Sequence, residues 1–252
     1  MYVKIKNDGG YIFDIRRTMP AAALRKGVFI MSQYAVVDLE MCKVPNEAKK
    51  GKYPYSHETI QIGAVLLDDS YEIKEKFVTY VSPQYGYIDN FISNLTGIHR
   101  NDVKDAPLMK EALQRFVDWL PKEVKLVSWS ENDEMQIRHE IEAKNIHIDG
   151  FDAILDNWID CQKIFSEKMK NSKCYNLAEA LIAANIIYED GAHDGLVDAY
   201  NTALLFAKMQ TEPELKLNPY YQNAISGEES SSGFTIGNLF AGLDLKGLVS
   251  TT

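Results

Sequence analysis

The stretch YAVVDLEMC, residues 34–42, is a continuous aliphatic, largely β-branched run with two acids set inside it. Such a run predicts a strand buried on both faces of a sheet. Alternate residues of a strand face the same way, so Asp38 and Glu40 project side by side. Adjacent carboxylates repel, and burial penalises each charge unless something neutralises it. The neutraliser is protons, a basic partner or a metal ion. Acid-x-acid is common by itself: 36 acids in 252 positions give roughly five such pairs by chance, so the strand around this pair is what makes it informative.

Downstream, ETIQIGAVLLDD (58–69) and EIKEKFVTYVSP (72–83) alternate about a turn and predict a hairpin of two more strands. The intervening KVPNEAKKGKYPYSH (43–57) reads as a polar, Lys-rich loop. Helical spacing follows over 88–95 and 107–120, where Pro107 suits a first-turn position. KLVSWS (125–130) is a short buried strand, and NDEMQIRHEIEAKN (132–145) an amphipathic helix capped by Asn132 or Asp133. Further helices are expected near 160–169, 176–184 and 195–209. Strands first, then helices alternating with single strands, predict an α/β fold with a mixed sheet covered by helices.

The chain carries 27 Lys and Arg against 36 Asp and Glu, a net charge of −9. That balance argues against a broad basic surface coating nucleic acid and leaves room for a local basic patch. Cys42, Cys161 and Cys174 show no CxxC spacing, which excludes a Cys-ligated zinc finger and points to a reducing compartment, the cytoplasm. No membrane partner is expected: the longest early apolar run, Val28–Met31, is far short of the ~20 residues a bilayer span needs. Residues 1–30 read as an N-terminal extension ahead of a natural start at Met31. Residues 31–211 are expected to form the folded domain, and 212–252 a linker and tail in which SGEESSSG (226–233) is flexible by composition. The terminal FTIGNLFAGLDLKGL is apolar enough to dock, either on its own domain or on a partner of unknown identity.

A metal site needs ligands from elsewhere in the chain. Asp133, in SWSENDEMQIRHE, stands where a strand meets a helix; it is either a ligand or an acid favoured by the helix macrodipole. In HDGLVDAYNTALLFAKM, His193 precedes a helix and Asp198 lies five residues on. His147 and Asp152 share that spacing, but AILDNW after Asp152 breaks the small-residue pattern. Asp198 instead leads into Ala199, Ala203, Leu204 and Ala207. Small residues at those places let a helix lie close against a sheet, which favours the second pair.

DLE at 38–40, WSENDE around Asp133 and HDGLVDA at 193–199, in this order, resemble the three motifs of the DEDDh 3′→5′ exonucleases of the RNase T/DnaQ-like superfamily. ETIQIGAVLLD (58–68), LTGIHRNDVKDAP (95–107) and NLAEAL (176–181) agree, and the resemblance covers about residues 34–209. It is nearest to the stand-alone, RNA-leaning enhanced-RNAi-type and KapD-like exonucleases. The resemblance implies an RNase H-like fold, a mixed sheet of about five strands flanked by helices. It implies that Asp38, Glu40, Asp133 and Asp198 hold two Mg²⁺ or Mn²⁺ ions and that His193 is the catalytic histidine; all-carboxylate sites suit such hard ions. It also implies that Glu40 and the Met41 backbone contact the terminal ribose. Leu95 and Ile98 either wedge against the last base or belong to the core. Asp194 and Val197 stand where relatives often carry a basic residue and an acid, departures that bear on substrate tuning.

The expectation is a metal-dependent exonuclease acting at 3′ ends of single-stranded RNA or short oligonucleotides and releasing nucleoside 5′-monophosphates. RNA is favoured over DNA as partner. The acidic balance favours short or frayed ends, because phosphate contacts carry affinity for long polymers. Lys43, Lys49, Lys50 and Lys52 are either a local positive rim or a solvated loop. A DNA-directed exonuclease of repair or proofreading type and a non-catalytic nucleic-acid-binding module are the alternatives.

Overall fold

The computed structural model describes residues 33–170, 173–189 and 191–219. The expected start at Met31, the extension before it and the tail from residue 220 onward lie outside the described residues. Five strands form one sheet: β1 (Gln33–Lys43), β2 (His57–Leu67), β3 (Ile73–Tyr80), β4 (Val124–Ser128) and β5 (Ile159–Asp160). Their order is β3-β2-β1-β4-β5. β1 pairs antiparallel with β2 and parallel with β4, so the acid-bearing strand is the centre of a mixed sheet. The helices are α1 (Asn46–Lys49), α2 (Asn90–Thr96), α3 (Arg100–Val103), α4 (Met109–Trp119), α5 (Glu131–Lys144), α6 (Phe151–Leu155), α7 (Cys161–Met169), α8 (Leu177–Ala183) and α9 (Gly195–Thr211).

Alternation along β1 divides the core. Ala35, Val37 and Leu39 face a cluster with Ile62, Phe116, Ile137 and Phe151, which brings α4, α5 and α6 onto one face. Val36 faces the other, with Val65, Val127, Phe165, Ala199, Ala203 and Phe206 from α7 and α9. Asp38 and Glu40 continue the row of Val36, toward α9. The approach of α9 is unusually close because it is made by glycine on both sides. Gly63, the register partner of Asp38, has no Cβ; one added there would fall inside 3.0 Å of Gly195 C and O and Leu196 N. Gly195, Ala199 and Ala203, four residues apart, are buried against the sheet, while Leu204 and Ala207 are only partly covered.

A charged network lies under the opposite end of β2. Glu58 and Glu140 are fully buried and share the ammonium of Lys144, 2.6 Å from Glu58. Glu58 also accepts from the backbone N–H groups of Gln84, Tyr85 and Gly86 at 2.6–2.8 Å. Glu140 accepts from Thr59 N–H and from Gln136 Nε2. The network thereby ties α5 to β2 and to the loop leading into α2.

Two helix starts differ from expectation. α5 begins at Glu131 because Ser130 caps it, accepting from Asn132 N–H; neither Asn132 nor Asp133 is the cap. α4 begins at Met109, and Pro107 precedes it: the Pro107 carbonyl accepts from Ser82 N–H at 2.9 Å, holding that residue in the connection. α1, α3, α6 and β5 are too short to show a period in the sequence; β5 supplies the fifth strand of the sheet that the resemblance implies. Beyond α9 the chain turns back over α8: Leu215 and Leu217 pack on the core, and Asn218 N–H donates to the Ala183 carbonyl at 2.7 Å. No described helix is long and apolar enough to cross a membrane.

Candidate active site

Parallel pairing of β1 with β4 ends at Val36–Val127, so the later half of β1 lacks a strand on that side. Asp133, in the first turn of α5, fills part of the gap: its Oδ1 accepts from the Leu39 N–H at 3.1 Å. The Asp133 carboxylate is thereby pinned to the backbone between Asp38 and Glu40. Asp133 sits in the first turn of α5 and its charge also acts on the β1 pair, so both positions read from the sequence meet in one residue. Its release from capping by Ser130 makes this arrangement available.

Asp198 arrives from the other side. The Gly195 N–H donates to Gln61 Oε1 at 2.8 Å, and Gln61 lies opposite Glu40 in the β1–β2 register. This bond and the Gly63–Gly195 contact seat the first turn of α9 over the acids. Asp198 Oδ2 accepts from the His193 N–H at 2.8 Å. His193 is exposed and has a positive φ of 68°, a left-handed conformation that His tolerates better than most residues. Ligand atoms of Glu40, His193 and Asp198 lie within 4.8 Å of one another. The competing pair goes elsewhere: His147 pairs with exposed Asp149 and Asp152 is exposed.

The electrostatics follow from this crowding. Burial, then the charges of Asp133, Glu40, Asp198 and Asp194, hold the Asp38 carboxyl well above the usual carboxylate range. Burial, then Asp198, Asp133 and Asp194, pushes Glu40 up to about 8. Asp133 is raised by burial, against the lowering effect of the Leu39 N–H. Asp198 is raised by burial, against the His193 N–H and ring. Among the described residues no Lys or Arg pairs with any of the four acids. Protons or a cation must therefore quiet the cluster, and its donors are hard oxygens with one imidazole, a set that fits Mg²⁺ or Mn²⁺.

Beside the acids runs a groove of about 540 Å³, lined by Glu40, Met41, Phe91, Leu95 and Met135 among others. Leu95 is at its wall and half-exposed, whereas Ile98 is 3% exposed and packs with Cys42, Ile60 and Ile92 in a satellite core. Of the two residues of LTGI, only Leu95 lines the groove. Phe91, 61% exposed and unremarked in the sequence, is its other apolar wall. Sequence reading also passed over Gln61 and Gly63. An isolated glycine within a strand pattern is a signal of close backbone approach, and it was available at residue 63.

Comparison with known proteins bears on the same elements. A family model described as exonuclease, RNase_T, matches residues 35–206, which span β1 through most of α9. The chain is 32% identical over 184 residues to human ERI1 exoribonuclease 2, covering 63% of this chain and 26% of that one. It is 29% identical over 200 residues to the PolC-type DNA polymerase III of Caldanaerobacter subterraneus, covering 79% of this chain and 13% of the polymerase. The Drosophila melanogaster 3′-5′ exonuclease Snipper is 26% identical, with 66% of this chain and 67% of that one covered. The chain thus spans 26% and 13% of the first two relatives. A structure described as 3′-end-specific recognition of histone mRNA stem-loop by 3′-exonuclease shares the fold with a TM-score of 0.62 at 23% identity, over 74% of this chain and 85% of that one. The cell-death-related nuclease CRN-4 does so with a TM-score of 0.60 at 22% identity, over 74% and 66%. With the family match running across the central strand, the pinned acid of α5 and the helix seated by glycine, the chain belongs to the RNase_T exonuclease family.

Proposed function

We propose that the protein is a metal-dependent 3′→5′ exonuclease that removes nucleoside 5′-monophosphates from single-stranded RNA or short oligonucleotides. The observation that carries this reading is the convergence of Asp38, Glu40, Asp133 and Asp198, from three separate elements, with His193 at the rim. Asp38, Glu40, Asp133 and Asp198 would hold two divalent ions. Bound there, such ions supply Lewis-acid stabilisation of phosphate oxygens and lower the pKa of a water. The protein's own part is to fix the oxygens, through Leu39 N–H at Asp133 and His193 N–H at Asp198. His193, an exposed imidazole at the rim within 4.8 Å of the Glu40 and Asp198 oxygens, would accept the proton of the attacking water. Glu40 and the Met41 backbone, at the mouth of the groove, would meet the terminal ribose, with Leu95 and Phe91 flanking the base. Stacking of this kind tolerates any sequence.

The name of the human relative favours RNA, and the polymerase relative favours DNA as the second reading. The free thiols favour a cytoplasmic location. Labelled single-stranded RNA and DNA of equal sequence, incubated with Mn²⁺, separate the readings. The expected result is stepwise shortening from the 3′ end, faster on RNA, and lost in Asp38→Ala. Intact oligonucleotides with metal demonstrably bound would leave only a binding module. For His193→Ala, turnover is expected to fall by ~10²–10⁴ while calorimetry still shows metal binding; unchanged turnover removes His193 from the proton transfer, and lost metal binding makes it a ligand.

A further inference from the structure

The groove is chemically one-sided. Its mouth is acidic, at Glu40. Along β1 the next polar side chain on its floor is Lys43, three residues on, about 10 Å at the rise of a strand. That length is the reach of one nucleotide from its phosphate to the far edge of its base. Between the two ends the walls carry the exposed apolar side chains of Phe91, Leu95 and Met135, with Asn132, Gln136 and His139 among the polar residues of the same groove. Exposed apolar side chains beside the acid cluster are suited to the face of a base.

The far end is basic. Lys43 and His57 are register partners across β1 and β2, and both line the groove. The Lys43 ammonium lies over the Phe91 ring, 5.2 Å from its centroid. A second cavity of about 370 Å³ opens beyond and shares Lys43 and His57, adding Lys49 and Ser56. Lys49 is already engaged with the Ser56 hydroxyl at 3.1 Å, whereas among the described residues no carboxylate pairs with Lys43. An ammonium has donors and no acceptor. At the outer edges of bases, guanine offers O6 and N7 and uracil offers O4 as acceptors, whereas adenine pairs its N7 acceptor with an N6 donor and cytosine presents the N4 donor.

We propose that Lys43, with His57 beside it, reads the identity of the 3′-terminal base, selecting guanine and uracil, which carry an oxo group at that edge, over adenine and cytosine, which carry an amino group. The selection rests on the exonuclease reading above and adds base preference to it. His57, able to donate or accept, completes the polar end; the sign of the preference comes from Lys43.

The test uses four single-stranded RNAs that differ only in the 3′-terminal base, with release of the first nucleotide followed in Mn²⁺. The expected kcat/KM is ~5–10-fold higher for ends in G or U than for ends in A or C, the scale of the net contribution of one hydrogen bond. Lys43→Met should collapse that ratio. Lys43→Arg should shift preference from U toward G, because a guanidinium forks onto O6 and N7 together. Equal rates at all four ends, or a ratio that survives Lys43→Met, overturns the base reading and leaves the exonuclease intact. If no end is cleaved although metal binds, the exonuclease reading fails instead. Calorimetric titration of the Mn²⁺-loaded protein with guanosine and adenosine 5′-monophosphates then decides base selection alone: tighter binding of the guanosine nucleotide supports it, and equal Kd values overturn it.

Discussion

Gly63→Ala tests whether the first turn of α9 positions the acids. A methyl at residue 63 would fall inside 3.0 Å of Gly195 C and O and Leu196 N, all backbone atoms that no rotamer change can clear. Restoring van der Waals contact requires the turn to withdraw by roughly 1 Å. Withdrawal stretches the Gly195 N–H bond to Gln61, now 2.8 Å, and carries Asp198 away from Glu40. Overpacking of this kind destabilises by about 1–3 kcal/mol, which leaves a folded protein. Misplacement of a reacting group by ~1 Å lowers turnover by ~10²-fold. The assay is single-turnover cleavage of a 3′-labelled RNA, with urea unfolding of the same sample. Turnover within a few-fold of wild type would refute the claim that the Gly63–Gly195 contact sets the site.

Lys144→Met removes the cation shared by two fully buried carboxylates and is expected to destabilise by ~3–5 kcal/mol in urea unfolding; Glu140→Gln in the same chain should recover part of the loss, and a neutral single variant would show the network to be idle. The carboxyl cluster makes metal-free stability depend on pH. Glu40 lies at about 8 in the folded protein against an ordinary 4.5, and Asp38, Asp133 and Asp198 shift the same way. Between those values the folded state holds protons that the unfolded state has released, so this contribution is full below about pH 4.5 and is lost as pH rises through about 8. Mn²⁺ keeps the carboxylates ionised and fixed. The Tm gap between Mn²⁺ and EDTA samples should therefore widen from pH 5 to pH 8, and a gap that narrows contradicts the assigned cluster.

The central strand was legible because a buried β-branched run leaves little else for residues 34–42 to do, and the two acids inside it were conspicuous for the same reason. Asp133 and His193–Asp198 were legible only in combination; each alone has an ordinary explanation, and the resemblance to one family joined them. What escaped was what depends on contact across the chain. Ser130 displaced Asn132 and Asp133 as the cap, and nothing local distinguishes the three. Ile98 and Leu95 lie one helix end apart, and only the packing of Cys42, Ile60 and Ile92 decides which is buried. Phe91 reads as one more apolar residue of a helix, although its ring is left outside the core. The buried partnership of Glu58, Glu140 and Lys144 has no sequence signature, since its members stand 82 and 4 positions apart as three among many charges.

The bond from Leu39 N–H to Asp133 has a consequence for how the site comes by its shape. One oxygen of that carboxylate is committed to the main chain of β1, so the helix bearing it is latched to the strand by a contact that needs no ion. The mould of the centre is thereby cast by the chain itself, and the proposed ions would have only to fill it.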